Sequence, residues 1–117
     1  MRIADIKIGD VSYPATYTLG TRIALEERGI DMARVDWSTA SGYQVIALIT
    51  ECIISGCAWA RKNGRPVPEL PAEKEMAALI GMDDLKDTMQ VISRLIIGDR
   101  HVEAKPDGKN GESQSAS

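Results

Sequence analysis

The sequence predicts an α+β fold, in which an N-terminal β-hairpin packs on a small bundle of about four α-helices and a disordered C-terminal tail follows. Polar and apolar side chains alternate over residues 2–17, which is typical of strands, whereas apolar residues recur with helical spacing from residue 21 onward. Hydrophobic residues make up 44% of the 117 residues but aromatic residues only 4%, which predicts an aliphatic core. We expect one domain over residues 1–99 and a polar tail over residues 100–117.

The hairpin is predicted from two short strand-like runs, residues 2–8 and 11–17, on either side of Gly9-Asp10. A two-residue loop with Gly in a positive-φ position is typical of a tight hairpin. Pro14 lies inside the second run and has no N–H to donate, which predicts an edge strand or a bulge at this point. Because an isolated hairpin is only marginally stable in water, we expect it to pack on the helices.

The remainder of the chain predicts helices over residues 21–28, 43–60, 71–80 and 84–97. Gly29 is placed to end the first of these helices, since glycine readily adopts the left-handed conformation found there. Ser41 and Gln44 have the spacing of a capping box at the start of the second helix. Apolar residues cover more than one face of this second helix, so we expect it to be the most buried element.

The last two helices are bounded by residues that commonly start or stop helices. Pro71 suits the first position of the third helix, and Gly81 is placed to end it. Asp83 is expected to cap the fourth helix, and Gly98 to stop it. Residues 105–117 are almost entirely polar or small, a composition that predicts disorder.

The helix over residues 43–60 is long and apolar enough to suggest a membrane span, with Glu51 as its one charge. A carboxylate at the centre of a bilayer costs a few kcal/mol, and Gln44 adds a further polar group, so we predict a core helix instead. Glu51 could meet Arg22 or Arg94 from a neighbouring helix. We favour a Glu51 side chain that is exposed to solvent or lies at the rim of the core, because burying a carboxylate without a partner is costly.

The two cysteines, Cys52 and Cys57, lie inside this apolar helix. Five residues along a helix turn the thiols to different faces and place the two Cα atoms roughly 8 Å apart. This distance is too long for an ordinary disulfide. Both are therefore predicted to be reduced, buried side chains, as is common in cytoplasmic proteins. The alternating N-terminus does not have the basic and then apolar pattern of a signal peptide.

Charge argues against a nucleic-acid partner. The formal net charge is −3, whereas duplex-binding domains usually present a basic face. The third and fourth predicted helices have the Ala77 and Gly81 spacing of a helix-turn-helix motif. However, the presumed reading helix begins with Asp83, Asp84 and Asp87, whose carboxylates would be repelled by phosphates. A plain helical hairpin is the preferred interpretation.

The residue pattern predicts no catalytic, metal or cofactor site. His101 is the one histidine, and it lies beside the polar tail without a predicted partner to orient it as a general base. The cysteines lack C-x-x-C spacing, and no phosphate-binding loop is present. We therefore expect a protein that is not an enzyme and that acts as a binding or assembly factor, or as a structural subunit.

Three segments near the N-terminus resemble segments of a known protein family. They are IKIGDVSY at residues 6–13, TLG at residues 18–20 and ALEERG at residues 24–29. A hairpin of this type that leads into such a helix, followed by further helices and a polar C-terminus, resembles the small tail assembly chaperones of long-tailed bacteriophages, gene transfer agents and prophages. Pro14 departs from the usual strand of that family.

The resemblance implies a non-catalytic chaperone that binds the tape measure protein and keeps it soluble while tail tube subunits polymerise around it. It further implies location in the host cytoplasm and absence from the mature virion. The implied partners are the tape measure and tail tube proteins, but neither nucleic acid nor a membrane; whether the chain also forms a homo-oligomer stays open. Met76, Met82 and Met89 would suit adaptable contacts with such partners; the alternative is that they fill gaps in the core.

Two other functions stay open at this point. The chain could be a structural subunit of a phage tail or head–tail connector, although ring-forming subunits of that kind need more strand. It could also be a small DNA-binding regulator. Many members of the chaperone family are made in two lengths by ribosomal frameshifting, and Gly108-Lys109-Asn110 can be encoded with the slippery heptamer A AAA AAC. The gene sequence would decide whether a longer product exists.

Overall fold

The computed structural model describes the backbone of residues 1–103 and the side chains of residues 1–97. The elements run in the order β1 (Ala4–Ile8), β2 (Val11–Ala15), α1 (Leu19–Glu27), α2 (Gly42–Lys62), α3 (Glu73–Leu79) and α4 (Met82–Glu103). An antiparallel hairpin with four helices confirms the predicted α+β fold. Residues 104–117, which include most of the predicted tail and the Gly108-Lys109-Asn110 segment, lie outside the described residues.

The hairpin has the predicted turn. Ile8 pairs with Val11 across Gly9-Asp10, and Gly9 adopts a φ of 62°. A Cβ atom there would meet nothing within 4 Å, so the left-handed backbone, and not crowding, is what favours glycine. The strands are shorter than predicted, because pairing ends at Ala4 and Ala15.

Pro14 fits the hairpin without a bulge, since the pairing register is continuous from Ala4 to Ile8. The pair that flanks a two-residue turn is hydrogen-bonded, and such pairs alternate with non-hydrogen-bonded ones along an antiparallel ladder. The Asp5–Pro14 pair is therefore non-hydrogen-bonded, and the nitrogen of Pro14 points away from β1. The prediction of an edge position is confirmed, because each strand of this two-stranded sheet is an edge strand.

Helix α1 begins two residues earlier than predicted and ends one residue earlier, with Gly29 just beyond the helix end as predicted. Thr18 is its N-cap: the Thr18 hydroxyl accepts a hydrogen bond from the N–H of Thr21, whose hydroxyl accepts one from the N–H of Thr18. At the C-terminus, Gly29 has a φ of 82°. The N–H of Ile30 donates to the carbonyl of Leu25 over 3.0 Å, which completes a Schellman motif with an apolar contact.

Helix α2 is the central element of the domain and carries more buried residues than the other described helices. It begins with the predicted capping box, in which Ser41 and Gln44 each accept a hydrogen bond from the other's backbone N–H. It contacts β2, α1 and α3. Its length and hydropathy would also allow a membrane span, a property that core helices share, and half of its apolar window is buried inside the protein.

The predicted ends of the last two helices were wrong. Helix α3 begins at Glu73, after Ala72 as N-cap, so Pro71 lies before it. Helix α4 begins at Met82, which places Asp83 in its first turn instead of at its cap. The backbone of α4 also continues through Gly98 to Glu103. One helical glycine costs only about 1 kcal/mol, which is too little to end a long helix by itself.

The core joins the inner face of the hairpin to the helices. It is built almost entirely from aliphatic side chains, with large fully buried members that include Ile6, Leu25, Leu48, Met76 and Ile92. This composition agrees with the low aromatic content of the sequence.

Both cysteines are free and buried, as predicted. Burial raises the pKa of the Cys52 thiol to about 12 and raises that of Cys57 as well. Both thiols are therefore held in the protonated form, which is a poor nucleophile. They act as small apolar side chains in the core.

Candidate functional site

An apolar groove lies where the start of α2 faces the end of α3 and the start of α4. Its volume is about 270 Å³. Every residue that lines it is apolar or glycine: Ala40, Gly42, Val45, Ile46, Ile49, Ala77, Ile80, Met82 and Leu85. Small-molecule sites usually measure roughly 300–1,000 Å³ and include a few polar groups. The size and composition of this groove suit apolar side chains from a partner better than a polar ligand.

Helical spacing explains how the sequence builds the groove. The α2 residues that line it follow the spacing i, i+3, i+4 and i+7, so one stripe of the helix forms its floor. Ile49 at one end of this stripe is buried in the core. Met82 stands at the opposite wall with 81% of its surface exposed. A flexible thioether at the rim can adapt to different partner side chains.

A second feature is a charged junction that ties three helices together. Arg28, the C-cap residue of α1, donates from Nη2 to Glu73 of α3 over 2.7 Å, and the same nitrogen forms an ion pair with Glu51 of α2 at 2.8 Å. Its Nε donates to Glu51 over 3.0 Å and its Nη1 to Glu73 over 3.1 Å. The guanidinium also lies 6.0 Å from the ring centroid of Tyr43. This planar fork uses the geometry that distinguishes arginine from lysine.

The electrostatics of the junction follow from this geometry. The hydrogen bonds that Arg28 donates to Glu73 raise the pKa of Arg28 above its usual range; those it donates to Glu51 raise it further, and burial of the guanidinium opposes both. The hydrogen bond from Arg28 lowers the pKa of the Glu73 carboxyl below its usual 4.5. The Arg28, Glu51 and Glu73 side chains are 23%, 13% and 28% exposed, so water screens these ion pairs less than it screens pairs on the open surface.

Replacing Arg28 with Met is expected to lower the free energy of unfolding by about 1–3 kcal/mol at pH 7, because two partly buried carboxylates lose their charged donor. The Glu73 contribution is present above pH 4.5 and is lost as the pH falls through the lowered pKa in the folded state. Urea unfolding of both proteins, measured at intervals of about half a pH unit between pH 3 and pH 7, tests the size of the loss and its pH dependence.

Arg22→Met is the matched control, because Arg22 pairs with Glu26 on the surface at 48% exposure of each side chain. That change should cost no more than about 0.5 kcal/mol. Glu73→Gln should weaken the acid dependence that the lowered carboxyl pKa produces. Equal losses for Arg28→Met and Arg22→Met would show that the junction contributes no more than a surface pair.

The structure separates the three methionines that the sequence grouped as candidate partner contacts. Met82 lines the apolar groove and is accessible. Met76 is fully buried, so it fills the core, as the alternative interpretation held, and presents no contact surface. Met89 is half-buried and packs against the core. The methionines therefore do not form one continuous surface.

The prediction that Glu51 is exposed at the rim was wrong. Its carboxylate is largely buried and pairs with Arg28, and neither of the expected partners, Arg22 and Arg94, takes that position. Sequence reasoning missed Arg28, whose partners lie 23 and 45 residues further along the chain. The available signal was a lone carboxylate inside an apolar helix, which needs a cation when it is buried.

Among the residues that the structure describes, no group of three or more His, Cys, Asp or Glu side chains is placed to hold a metal ion. The side chain of His101 lies outside the described part of the chain. Comparisons with protein-family models, with curated proteins and with solved structures find no match to this chain.

Proposed function

We propose that this protein is a tail assembly chaperone that binds the tape measure protein of a long-tailed phage or related particle through the apolar groove beside Met82. The observation that supports the proposal is an accessible groove lined only by apolar residues and glycine, with an exposed methionine at its rim. The segments at residues 6–13 and 24–29 that resemble the chaperone family give the proposal its partner.

The chemistry of the groove suits a helical partner. A tape measure protein is long and helical in the proposed family, and such helices present apolar stripes that need cover until the tail tube surrounds them. An amphipathic helix binds a hydrophobic groove by inserting side chains at helical spacing. The groove offers no charge to an incoming helix, so binding would depend on apolar burial, at roughly 25 cal/mol per Å². Such contacts tolerate variation in partner sequence.

Co-expression with the tape measure protein of the same particle tests the proposal. The wild-type chain should raise the soluble fraction of that protein and co-purify with it. Met82→Glu should weaken the association by about tenfold or more, a loss of at least about 1.4 kcal/mol, since it puts a charge into an apolar contact. The acid should not harm α4, because Met82 is the first residue of the helix, where a negative charge is favourable.

Leu19→Glu is a closely matched control. Leu19 is the first residue of α1, is 73% exposed and does not line the groove. It should leave binding unchanged. The chaperone proposal fails if the chain forms stable rings alone and does not associate with tail proteins, which would favour a structural tail or connector subunit. A salt-sensitive gel shift with duplex DNA would favour the DNA-binding regulator.

A further inference from the structure

The outer edge of β1 differs from the outer edge of β2 in its hydrogen bonding. On β2, Pro14 has no N–H, and the next outward amide, that of Thr16, donates to the carbonyl of Cys52 over 3.0 Å. On β1, the alternation of the ladder points the backbone groups of Asp5 and Lys7 away from β2. Within the described residues, no backbone hydrogen bond outside the hairpin reaches either of them. The β1 edge is therefore open in its backbone hydrogen bonding, although α4 contacts the strand.

A groove of about 430 Å³ runs along this open edge. On its far side, α4 contributes Asp84, Asp87, Thr88 and Val91, which follow the spacing of one helical face. The end of α3 closes the groove with Leu79 and Ile80. An extended chain laid in this space would have the β1 backbone on one side and a helical face on the other, as a third strand of the sheet would.

The charges along the groove favour one kind of occupant. Its ionisable side chains are the carboxylates of Asp5, Asp84 and Asp87 and the ammonium of Lys7. In the described part of the chain these carboxylates take part in no ion pair. A segment with Lys or Arg at alternate positions would place positive charges against Asp84 and Asp87, with apolar side chains against Ile80 and Val91.

A second copy of the chain fits this edge less well. Antiparallel pairing of two β1 strands about Ile6 would set Asp5 of each copy against Lys7 of the other, which is favourable. The second copy's β2, however, pairs with the far side of its β1, so it would lie where α4 forms the far wall of the groove, and a single added strand avoids that collision.

We propose that the β1 edge binds an extended, basic segment of a partner protein by strand addition. Backbone hydrogen bonds to Asp5 and Lys7 would supply affinity, and the carboxylates of Asp84 and Asp87 would select basic side chains. This inference does not depend on the chaperone proposal, because it uses a different surface; the two grooves share only Ile80.

A titration of the full chain with the blocked peptide Lys-Thr-Lys-Thr-Val-Thr-Lys tests the inference, with amide NMR signals as the readout. The amide signals of Asp5 and Lys7 should shift, and the matched peptide with Glu in place of every Lys should bind at least about tenfold more weakly. Affinity for the basic peptide should fall as salt is raised.

Variants of the protein test separately the backbone hydrogen bonds to β1 and the selection of basic side chains by the carboxylates of α4. Lys7→Pro removes one outward N–H at a non-hydrogen-bonded pair, the position type that already accepts Pro14. It should weaken binding about tenfold although it removes a competing positive charge. The double change Asp84→Asn with Asp87→Asn, at exposed sites, should also weaken binding about tenfold. Asp83→Asn, one residue away and outside the groove, should not.

Three results would overturn the inference. The first is equal binding of the basic and acidic peptides. The second is full affinity in both the Lys7→Pro protein and the Asp84→Asn, Asp87→Asn protein. The third is a dimer of the free chain that Lys7→Pro dissociates, since a second copy would then occupy the edge.

Discussion

Replacing Leu48 with Ala is expected to lower the free energy of unfolding by about 2–5 kcal/mol, one of the largest effects of any single change in this protein. Leu48 is fully buried in the first half of α2, in the cluster that joins the hairpin to α4. Truncation removes apolar burial and leaves a cavity that packed neighbours cannot fully close. Ile49, which is 1% exposed, should show a loss in the same range. Urea or thermal unfolding followed by circular dichroism measures both.

Ile54→Ala is the control within the same helix, because Ile54 is 44% exposed. It should cost much less than Leu48→Ala, since little apolar surface is returned to water. A loss below about 0.5 kcal/mol for both Leu48→Ala and Ile49→Ala would contradict the central position of α2.

Local signals in the sequence were sufficient for the fold class and for much of the element pattern. The Gly9-Asp10 turn, the Ser41–Gln44 capping box and the Gly29 helix end each depend on residues within one turn of each other, so short-range chemistry determines them. The helix ends near Pro71 and Gly98 were wrong, because several neighbouring residues can serve as a boundary and propensity differences between them are small.

The candidate sites depend on contacts between distant parts of the chain, and these left weaker signals. The sequence did not distinguish Met76, Met82 and Met89 as candidate partner contacts. Only the packing of the helices determines that Met82 is exposed whereas Met76 lies in the core. The Arg28–Glu51–Glu73 junction required the relative placement of three helices. Composition correctly suggested aliphatic packing, but it does not reveal which apolar stripe is left uncovered at a groove.

Replacing Gly56 with Ala is expected to cost about 3 kcal/mol or more, although Ala is the better helix former by about 1 kcal/mol. A Cβ atom on Gly56 would lie 2.3 Å from the carbonyl carbon and oxygen of Pro14 and 2.4 Å from the nitrogen of Ala15. These are backbone atoms, so no side-chain rotation relieves the clash, and α2 must move away from β2. That movement also stretches the hydrogen bond from Thr16 to Cys52.

Gly42→Ala in the same helix separates this contact from helix propensity. A Cβ atom on Gly42 meets nothing within 4 Å, so that variant should be as stable as the wild type or more stable by up to about 1 kcal/mol. In Gly56→Ala the amide hydrogen of Thr16 should also exchange faster, because its acceptor on α2 has moved. Unchanged stability together with unchanged protection of Thr16 would mean that α2 and β2 are not in close backbone contact. The hairpin would then need another attachment to the helices.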